Sequence, residues 1–443
     1  MSTINNPVTV FWFRRDLRLS DNHGLHVALK GANPVLPLFI YDTDILNALS
    51  DKKDRRVGFI HQALTGMNEV LKNNGSSMYI LNDKPLEAFK KICKQFNVKQ
   101  VIANHDYEPY AIERDEDIRI YLAGQGIPFT TYKDQVIFEK SEVVKADGTP
   151  YTVFPPYSKV WRRKYSEQKP ESFPSEDLLT NMVKTKPFHF PSLKDIGFER
   201  VEMPGFDTSI NEETILRYHE TRNLPGIAGT SHISVHLRFG TVSVRHLIGL
   251  AARLNENWLT ELMWREYFMM ILFHFPRVVT RDFKAKFNHI QWRNNRDEFK
   301  RWCRGETGYP IVDAGMRELN ETGWMHNRVR LITAGFLVKH LLIDWRWGDD
   351  YFGQKLLDYE LSSNNGNWQW IAGGGSDASP YFRVFNPFEQ TKKFDPELKY
   401  VKTWVKDYRP GYLPLMVEHD FARKRALEVF KNSLAVTVDY SAR

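Results

Sequence analysis

A change of pattern along the chain limits the folds open to this sequence. Up to about residue 133, short apolar runs alternate with amphipathic stretches, whereas from residue 211 onward only helical periodicity is found. The predicted strands are Val8–Phe13, Val35–Tyr41, Ser76–Leu81, Gln100–Asn104 and a fifth in the run PFTTY; predicted helices between them include Asp54–Asn73 and Leu86–Phe96. Strands that alternate with helices indicate a doubly wound parallel sheet. We therefore predict a Rossmann-like α/β domain over residues 1–133.

The rest of the chain is predicted to form a connector and an all-helical domain. Residues 134–206 are rich in Pro, Ser, Lys and Phe, with runs such as FPPYSKVW, which favours a long and mostly irregular connector. Over residues 207–443, segments such as WLTELMWREYFMMILFHF and HNRVRLITAGFLVKHLLIDW carry apolar residues at helical spacing.

Composition narrows the class of protein. A length of 443 residues suits two or three domains, and the net charge of +7 allows a basic groove for phosphates without requiring one. Two distant cysteines, Cys93 and Cys303, cannot build a disulfide framework or a cysteine-rich metal site, and the 14 histidines show no paired metal spacing. Because the sequence shows neither a signal peptide nor a long apolar run, we expect a soluble and cytoplasmic protein. We also expect a monomer that binds no metal.

Several common ligand motifs are missing. No GxGxxG follows the first predicted strand, and neither GxxxxGK[ST] nor GxSxG occurs. These absences argue against the usual dinucleotide fingerprint, the P-loop and the hydrolase nucleophile elbow. A ligand of the α/β domain would therefore be expected at the carboxyl ends of its strands.

The stretch from Thr322 to Pro387 mixes polar and aromatic residues in an unusual way. Five tryptophans fall within it: Trp324, Trp345, Trp347, Trp368 and Trp370. Arg330 lies in an apolar helical run and needs a carboxylate partner, for which Asp358 is the candidate; a purely structural ion pair is the alternative. Because buried polar groups require partners, such a region suits a flat ligand with polar edges.

Two further groups of residues suggest binding chemistry. Gly226, Gly229 and the hydroxyl residues after them could place backbone N–H groups around a phosphate, although an ordinary helix cap has the same composition. Glu261 and Trp264 share one helix face, and together with Asn327 and Arg328 they suit hydrogen bonding and stacking to a pyrimidine pair. A merely solvated helix face is the alternative for Glu261.

These motifs resemble the photolyase/cryptochrome flavoprotein family. The likeness runs from VFWFRRDLRLSDN (Val10–Asn22) to about Trp404, is strongest over Tyr309–Pro387, and is closest to class I-like photolyases of cyclobutane pyrimidine dimers. It implies an N-terminal antenna domain and a helical FAD-binding domain. The residues that it assigns to FAD are Tyr218, Thr230, Ser231, Ile233, Ser234, Trp258, Arg265, Arg330, Asp358, Glu360 and Asn364, with Asn364 facing the flavin N5 atom.

The resemblance also implies a substrate, UV-damaged DNA, and a source of electrons. The residues assigned to DNA and the lesion are Arg222, Glu261, Trp264, Asn327, Arg328, Trp370, Arg383 and Gln390. Trp368, Trp345 and Trp292 match the family's electron relay, with Trp368 nearest the flavin. Glu108 matches a folate-contacting position of some members, although a deazaflavin antenna or none at all also stays open.

Two departures and two alternatives accompany this interpretation. Leu331 stands where many cyclobutane photolyases have Met, which leaves substrate detail open, and Asn367 stands where Gly is common. A cryptochrome photoreceptor without repair activity has the same fold. A 6-4 photolyase typically carries a second histidine in place of Asn327. Asn364, the Glu261 group and the short segment after Trp404 favour repair of cyclobutane dimers.

Overall fold

The computed structural model describes residues 6–203, 205 and 208–435, and the chain divides into two compact units. An α/β unit comprises Met1–Glu142, Trp161–Ser209 and His232–Arg253, and a helical unit comprises Val143–Val160, Ile210–Ser231 and Leu254–Arg443. Each unit therefore combines segments that are distant in sequence. The predicted domain boundaries at 133/134 and 206/207 stay predictions, and Phe206 and Asp207 lie outside the described residues.

The α/β unit holds a parallel sheet of five strands in the order β3-β2-β1-β4-β5. The strands are β1 (Pro7–Phe13), β2 (Val35–Asp42), β3 (Tyr79–Asp83), β4 (Asn97–Asn104) and β5 (Phe129–Tyr132). Val10 in the central strand pairs with Leu36 on one side and with Val101 on the other. The strand order reverses between β1 and β4, so the switch point of the sheet lies at the carboxyl ends of these two strands. The predicted parallel α/β architecture is confirmed.

Helices account for most of the remaining ordered elements. In the first half they are α1 (His23–Lys30), α2 (Thr43–Leu46), α3 (Arg55–Asn73), α4 (Pro85–Gln95), α5 (Pro109–Gly124), α6 (Phe154–Glu167), α7 (Glu212–Leu216), α8 (Tyr218–Thr221), α9 (Ser234–Phe239) and α10 (Val244–Leu254). In the second half they are α11 (Glu256–His274), α12 (Arg296–Arg304), α13 (Pro310–Thr322), α14 (Asn327–Gly335), α15 (Trp345–Lys355), α16 (Leu361–Ala372), α17 (Pro387–Phe394), α18 (Lys399–Trp404) and α19 (His419–Ala435). Short 3₁₀ turns span Ser175–Asn181, Lys194–Ile196, Pro276–Val279 and Ala285–His289.

The predicted connector is irregular over most of its length but contains α6. Pro155 and Pro156 occupy the first turn of this helix, where a missing backbone N–H leaves no hydrogen bond unmade. The prolines of FPPYSKVW thus begin a helix and do not break one.

The long run HNRVRLITAGFLVKHLLIDW is not one continuous helix. A π-helical turn at Phe336–His340 follows α14, and α15 begins only at Trp345. This turn buries the Lys339 ammonium, which donates to the carbonyl oxygen of Ala372 at 3.0 Å and lies 3.6 Å from the ring centroid of Phe430. The wider turn accommodates this buried cation inside the aromatic core of the helical unit.

Candidate functional site

The first turn of α14 carries a buried ion pair. His326 caps the helix, since its Nδ1 accepts the backbone N–H of Arg328 at 3.1 Å. Arg330 donates from Nη2 to both carboxylate oxygens of Asp358, at 3.1 and 2.8 Å, and from Nε to the carbonyl oxygen of Met325 at 2.8 Å. The Asp358 side chain is 3% exposed, so removing either partner would leave a costly unpaired charge. The predicted pairing of Arg330 with Asp358 is confirmed.

A concave cavity opens beside this ion pair. Its lining consists of Asn327, Arg330, Leu331, Ala334, Phe352, Leu356, Asp358, Tyr359, Glu360, Ser363, Asn364, Asn367 and Trp368. One wall is apolar, and the other presents a guanidinium, carboxylates and amides. This mixture suits a flat heteroaromatic group with polar edges. Both departures from the family pattern, Leu331 and Asn367, lie on this lining.

Glu360 and Asn364 lie at the start of α16. The Glu360 carboxylate caps the helix by accepting the N–H groups of Ser362 and Ser363 at 3.2 and 2.9 Å. The Asn364 amide nitrogen donates to the side chain and to the carbonyl oxygen of Asp349 in α15. Burial and the neighbouring Asp350 raise the pKa of Asp349 to about 7. Asp349 was not among the predicted residues, because its contact with Asn364 depends on how two helices pack.

A second polar cluster lies within the helical unit and contains three arginines. Arg222 donates to Glu261 at 2.6 Å, and Arg328 donates to the side chain of Asn223 at 2.6 and 3.1 Å. Burial, followed by the charges of Arg222 and Arg383, lowers the pKa of the Arg328 guanidinium. Among the residues that the structure describes, only Arg222 of the three has a carboxylate hydrogen-bond partner, and such a group of guanidinium groups suits a phosphate-rich ligand.

Comparison with known proteins places this geometry in context. Residues 9–175 match the family model described as DNA photolyase, and residues 258–410 match the FAD binding domain of DNA photolyase. The chain is 35% identical to the deoxyribodipyrimidine photo-lyase of Alkalihalophilus pseudofirmus, over 96% of this chain and 98% of that protein. It is also 35% identical to the enzyme of that name from a Synechococcus species, over 90% and 88% of the two chains. The chain belongs to the photolyase/cryptochrome family.

Solved structures support the same conclusion. A class III photolyase from Agrobacterium tumefaciens is 30% identical with a TM-score of 0.85, over 98% of this chain and 99% of that one. An archaeal photolyase from Sulfolobus tokodaii, solved with two FAD molecules, is 33% identical with a TM-score of 0.82, over 96% and 100%. A Synechocystis cryptochrome, at 24% identity and a TM-score of 0.80, shares the fold.

FAD is the cofactor of this photolyase-family chain. The match to the FAD binding domain spans residues 258–410 and therefore contains every residue that lines the cavity. The buried Arg330–Asp358 pair and the Asn364 side chain place polar groups on this lining, and their contact with the flavin ring stays a prediction. In the described part of the chain, no three His, Cys, Asp or Glu side chains group as a metal ion would require, and no helix is long and apolar enough to span a membrane.

Other predicted flavin residues lie away from this lining. Tyr218, Thr230 and Ser231 belong to the helical unit, together with the buried Trp258 and the half-buried Arg265 of α11. Ile233 and Ser234 stand at the start of α9 in the α/β unit, with Ile233 as the capping residue. Their role toward FAD stays a prediction.

The three predicted relay tryptophans occupy one aromatic core. Trp368 and Trp345 are 2% and 0% exposed, and the half-buried Trp292 packs against the same cluster. Trp368 lines the cavity, and its ring lies 6.3 Å from the buried ring of Trp302, which the sequence did not single out. Trp292 makes an edge contact with Phe430 at 5.8 Å.

The predicted DNA contacts are distributed over several elements of the helical unit. Asn327 lines the cavity, Trp370 is half-buried on α16, and Gln390 is half-buried on α17, outside the cavity lining. Arg383 is exposed, with its guanidinium 5.3 Å from the ring of Phe385. Trp264 is half-buried on α11 and stacks on the ring of Phe154.

Glu108 lies just after β4, at the switch point of the sheet. Its carboxylate accepts from Arg15 at 2.7 Å and faces Arg238 at 3.5 Å. A folate that used Glu108 would have to share this carboxylate with both guanidinium groups. These two arginines therefore compete with the predicted contact between Glu108 and a folate.

A buried acid supports the segment that carries the ion pair. Glu318 in α13 accepts from the hydroxyl of Tyr400 at 2.5 Å and from the backbone N–H of His326 at 3.2 Å. Burial raises the pKa of Glu318 from its usual 4.5 to about 7. Between these values the folded state holds a proton that the unfolded state has lost, so the contribution of Glu318 to stability falls as pH rises.

Replacement of Glu318 by Gln is expected to remove this pH dependence. As pH rises from 5 to 8, the unfolding free energy of the parent should fall relative to that of Glu318→Gln. The expected relative change is about 3 kcal/mol at most, and it favours the variant at high pH. Thermal or urea unfolding at several pH values measures it. The exposed Glu321→Gln on the same helix is the control, and parallel curves for parent and Glu318→Gln would contradict the assignment.

Proposed function

We propose that this chain is a light-driven deoxyribodipyrimidine photo-lyase that repairs cyclobutane pyrimidine dimers in DNA with FAD bound in the cavity beside Arg330 and Asp358. The observation that carries the proposal is the cavity itself. It joins a buried ion pair, the Asn364 amide and the Trp368 ring, and it lies inside the region that matches the FAD binding domain.

The residues of the chain hold the reactants and control their surroundings. When bound, reduced and excited by light, FAD supplies the electron that opens the cyclobutane ring and takes the electron back. Arg330 and Asp358 would hold the polar edge of the flavin ring, and Asn364 would offer a neutral amide that adds no negative charge there. Because Asn364 donates to Asp349, the position of its amide is fixed from behind.

The lesion would be bound outside the duplex. A dimer inside stacked DNA is out of reach of a buried cofactor, so enzymes that act on such bases, photolyases among them, extrude them from the duplex. Asn327 and Glu261 would contact base edges, and Trp264 and Trp370 would supply aromatic surface. Arg222, Arg328, Arg383 and Gln390 would contact the strand around the lesion, with a salt-dependent contribution to affinity.

Repair assays distinguish this function from its two alternatives. The purified holoenzyme should restore cyclobutane-dimer DNA in blue light and not in the dark. Restoration of 6-4 lesions would instead support the second enzyme class, which the presence of Asn327 on the cavity lining disfavours. Flavin photochemistry without repair of either lesion would support a cryptochrome-type photoreceptor.

Truncation of the proposed lesion contacts is expected to weaken damaged-DNA binding. Glu261→Ala and Trp264→Ala should keep FAD, since neither residue lines the cavity, while the loss of stacking at Trp264 should cost ~1–3 kcal/mol of affinity for dimer-containing DNA. Fluorescence anisotropy with damaged and intact duplexes measures both effects. Glu298→Ala, which breaks a comparable ion pair with Arg293, is the matched control. Unchanged discrimination in both variants would exclude this pocket.

An accessory chromophore in the α/β unit belongs to the same proposal. The named candidates are a folate and a deazaflavin. The Sulfolobus tokodaii photolyase adds a second flavin to them, because its structure with two FAD molecules implicates a novel light-harvesting cofactor. Chromatography of the pigments released from the denatured protein, with the absorption spectrum of the holoprotein, identifies the pigment. Light scattering tests the expected monomer.

A further inference from the structure

An aromatic ring from outside α11 covers one face of Trp264. The ring of Phe154 stacks on the Trp264 indole with centroids 3.7 Å apart and planes 8° apart. Tyr267, one turn further along α11, sets its edge against both rings, at 5.7 Å from Phe154 and 5.5 Å from Trp264. Phe154 is 7% exposed, whereas Trp264 keeps part of its surface accessible. Phe268 also stacks on the indole, with centroids 5.4 Å apart, so the accessible part of Trp264 is the part that these neighbouring rings leave uncovered.

The position of Phe154 is itself anchored. Phe154 is the first residue of α6, and its backbone N–H, which has no partner inside the helix, donates to Oδ2 of Asp377 at 3.2 Å. Asp377 follows α16 in the chain and has a left-handed backbone with φ of 48°. For a residue other than glycine this conformation is unfavourable, so the surrounding contacts must hold it in place.

We propose that Phe154, anchored by Asp377, is a positioning residue for the damaged DNA strand. By covering one face of Trp264, it holds the indole in the orientation in which the remaining accessible surface meets the extruded pyrimidine pair. Without this ring the indole would gain rotamer freedom, which must be lost again when the lesion binds. The inference rests on the proposed function, because it assigns Phe154 to the lesion contact of Trp264.

The test separates positioning from folding by comparing KM with kcat. Phe154→Leu should raise KM for cyclobutane-dimer DNA about threefold to tenfold, the equivalent of one aromatic pair, with kcat and FAD content near the parent values. Phe154→Tyr keeps the ring and should restore the parent KM. Phe299→Leu removes a half-buried ring elsewhere in the helical unit and serves as the matched control.

The anchor provides a second variant that leaves both rings in place. Asp377→Gly tolerates the left-handed backbone but removes the acceptor for Phe154, so KM should rise, whereas Asp377→Asn keeps an acceptor oxygen and should behave as the parent. A parent-like KM in both Phe154→Leu and Asp377→Gly would overturn the inference while the repair function stood. If the parent itself failed to distinguish damaged from intact DNA, the proposed function would fail, and the inference with it.

Discussion

Asp358→Asn is expected to purify with little or no FAD. The substitution keeps the shape of the side chain but removes the charge that faces Arg330, at 2.8 and 3.1 Å in the parent. A guanidinium left without its carboxylate in a largely buried site is penalised, and a charge-assisted hydrogen bond toward the flavin ring is lost at the same time. At about 1.5–3 kcal/mol for such a bond, the affinity for FAD should fall roughly tenfold to a hundredfold.

The flavin content of the purified variant, from its absorption spectrum and from FAD titration of the apoprotein, measures this effect. Asp407→Asn breaks the exposed ion pair with Arg317 in the same unit and should leave FAD binding unchanged. The double variant Arg330→Met with Asp358→Asn removes both charges. If Asp358 served only to neutralise Arg330, the double variant would recover FAD; if Asp358 contacts the ring, it would not. A single variant with a full complement of spectrally unchanged FAD would place Asp358 away from the cofactor.

The sequence predicted the sheet well because buried parallel strands leave a direct hydrophobic signal. The predicted start of β3 at Ser76 is nevertheless too early, since the strand begins at Tyr79. The reason is a side chain distant from the strand: Asn68 in α3 accepts the backbone N–H of Met78 at 2.9 Å and the hydroxyl of Ser77 at 3.3 Å. A side chain that binds the backbone in place of a neighbouring strand cannot be recognised from local periodicity.

The candidate site shows the same division between local and long-range information. Arg330 and Asp358 could be paired from sequence because a charge inside an apolar helix demands a partner and because the family resemblance matches this pair. Asp349 behind Asn364 and Phe154 against Trp264 were missed. Asp349 and Phe154 reach their partners only through the packing of segments that are separate in sequence. Neither residue departs from the local pattern of its segment, so nothing in the sequence marks it.

The tryptophan prediction depends on a property of the ring that packing alone does not require. An indole can be oxidised transiently, and the resulting electron hole can then move to a neighbouring indole. A phenyl ring is oxidised far less readily. Trp368 lines the cavity, and Trp345 and Trp292 belong to the same core cluster. Gly348 makes room for Trp368, since a Cβ at Gly348 would lie 2.1 Å from the indole. This close fit fixes the ring beside the cavity.

Trp368→Phe is therefore expected to fold and to bind FAD, but light should no longer reduce the bound FAD in the presence of an external thiol. The smaller ring leaves space beside Gly348, so some stability should be lost, on the order of 1–2 kcal/mol. Repair by enzyme reduced chemically beforehand should survive, because the predicted relay would only supply electrons to the cofactor and would not contact the dimer. Absorption spectra under blue light measure photoreduction, and Trp404→Phe makes the same chemical change outside the relay. Photoreduction at the parent rate in Trp368→Phe would mean that electrons enter by another route, and Trp302, whose ring lies 6.3 Å from that of Trp368, would be the next residue to replace.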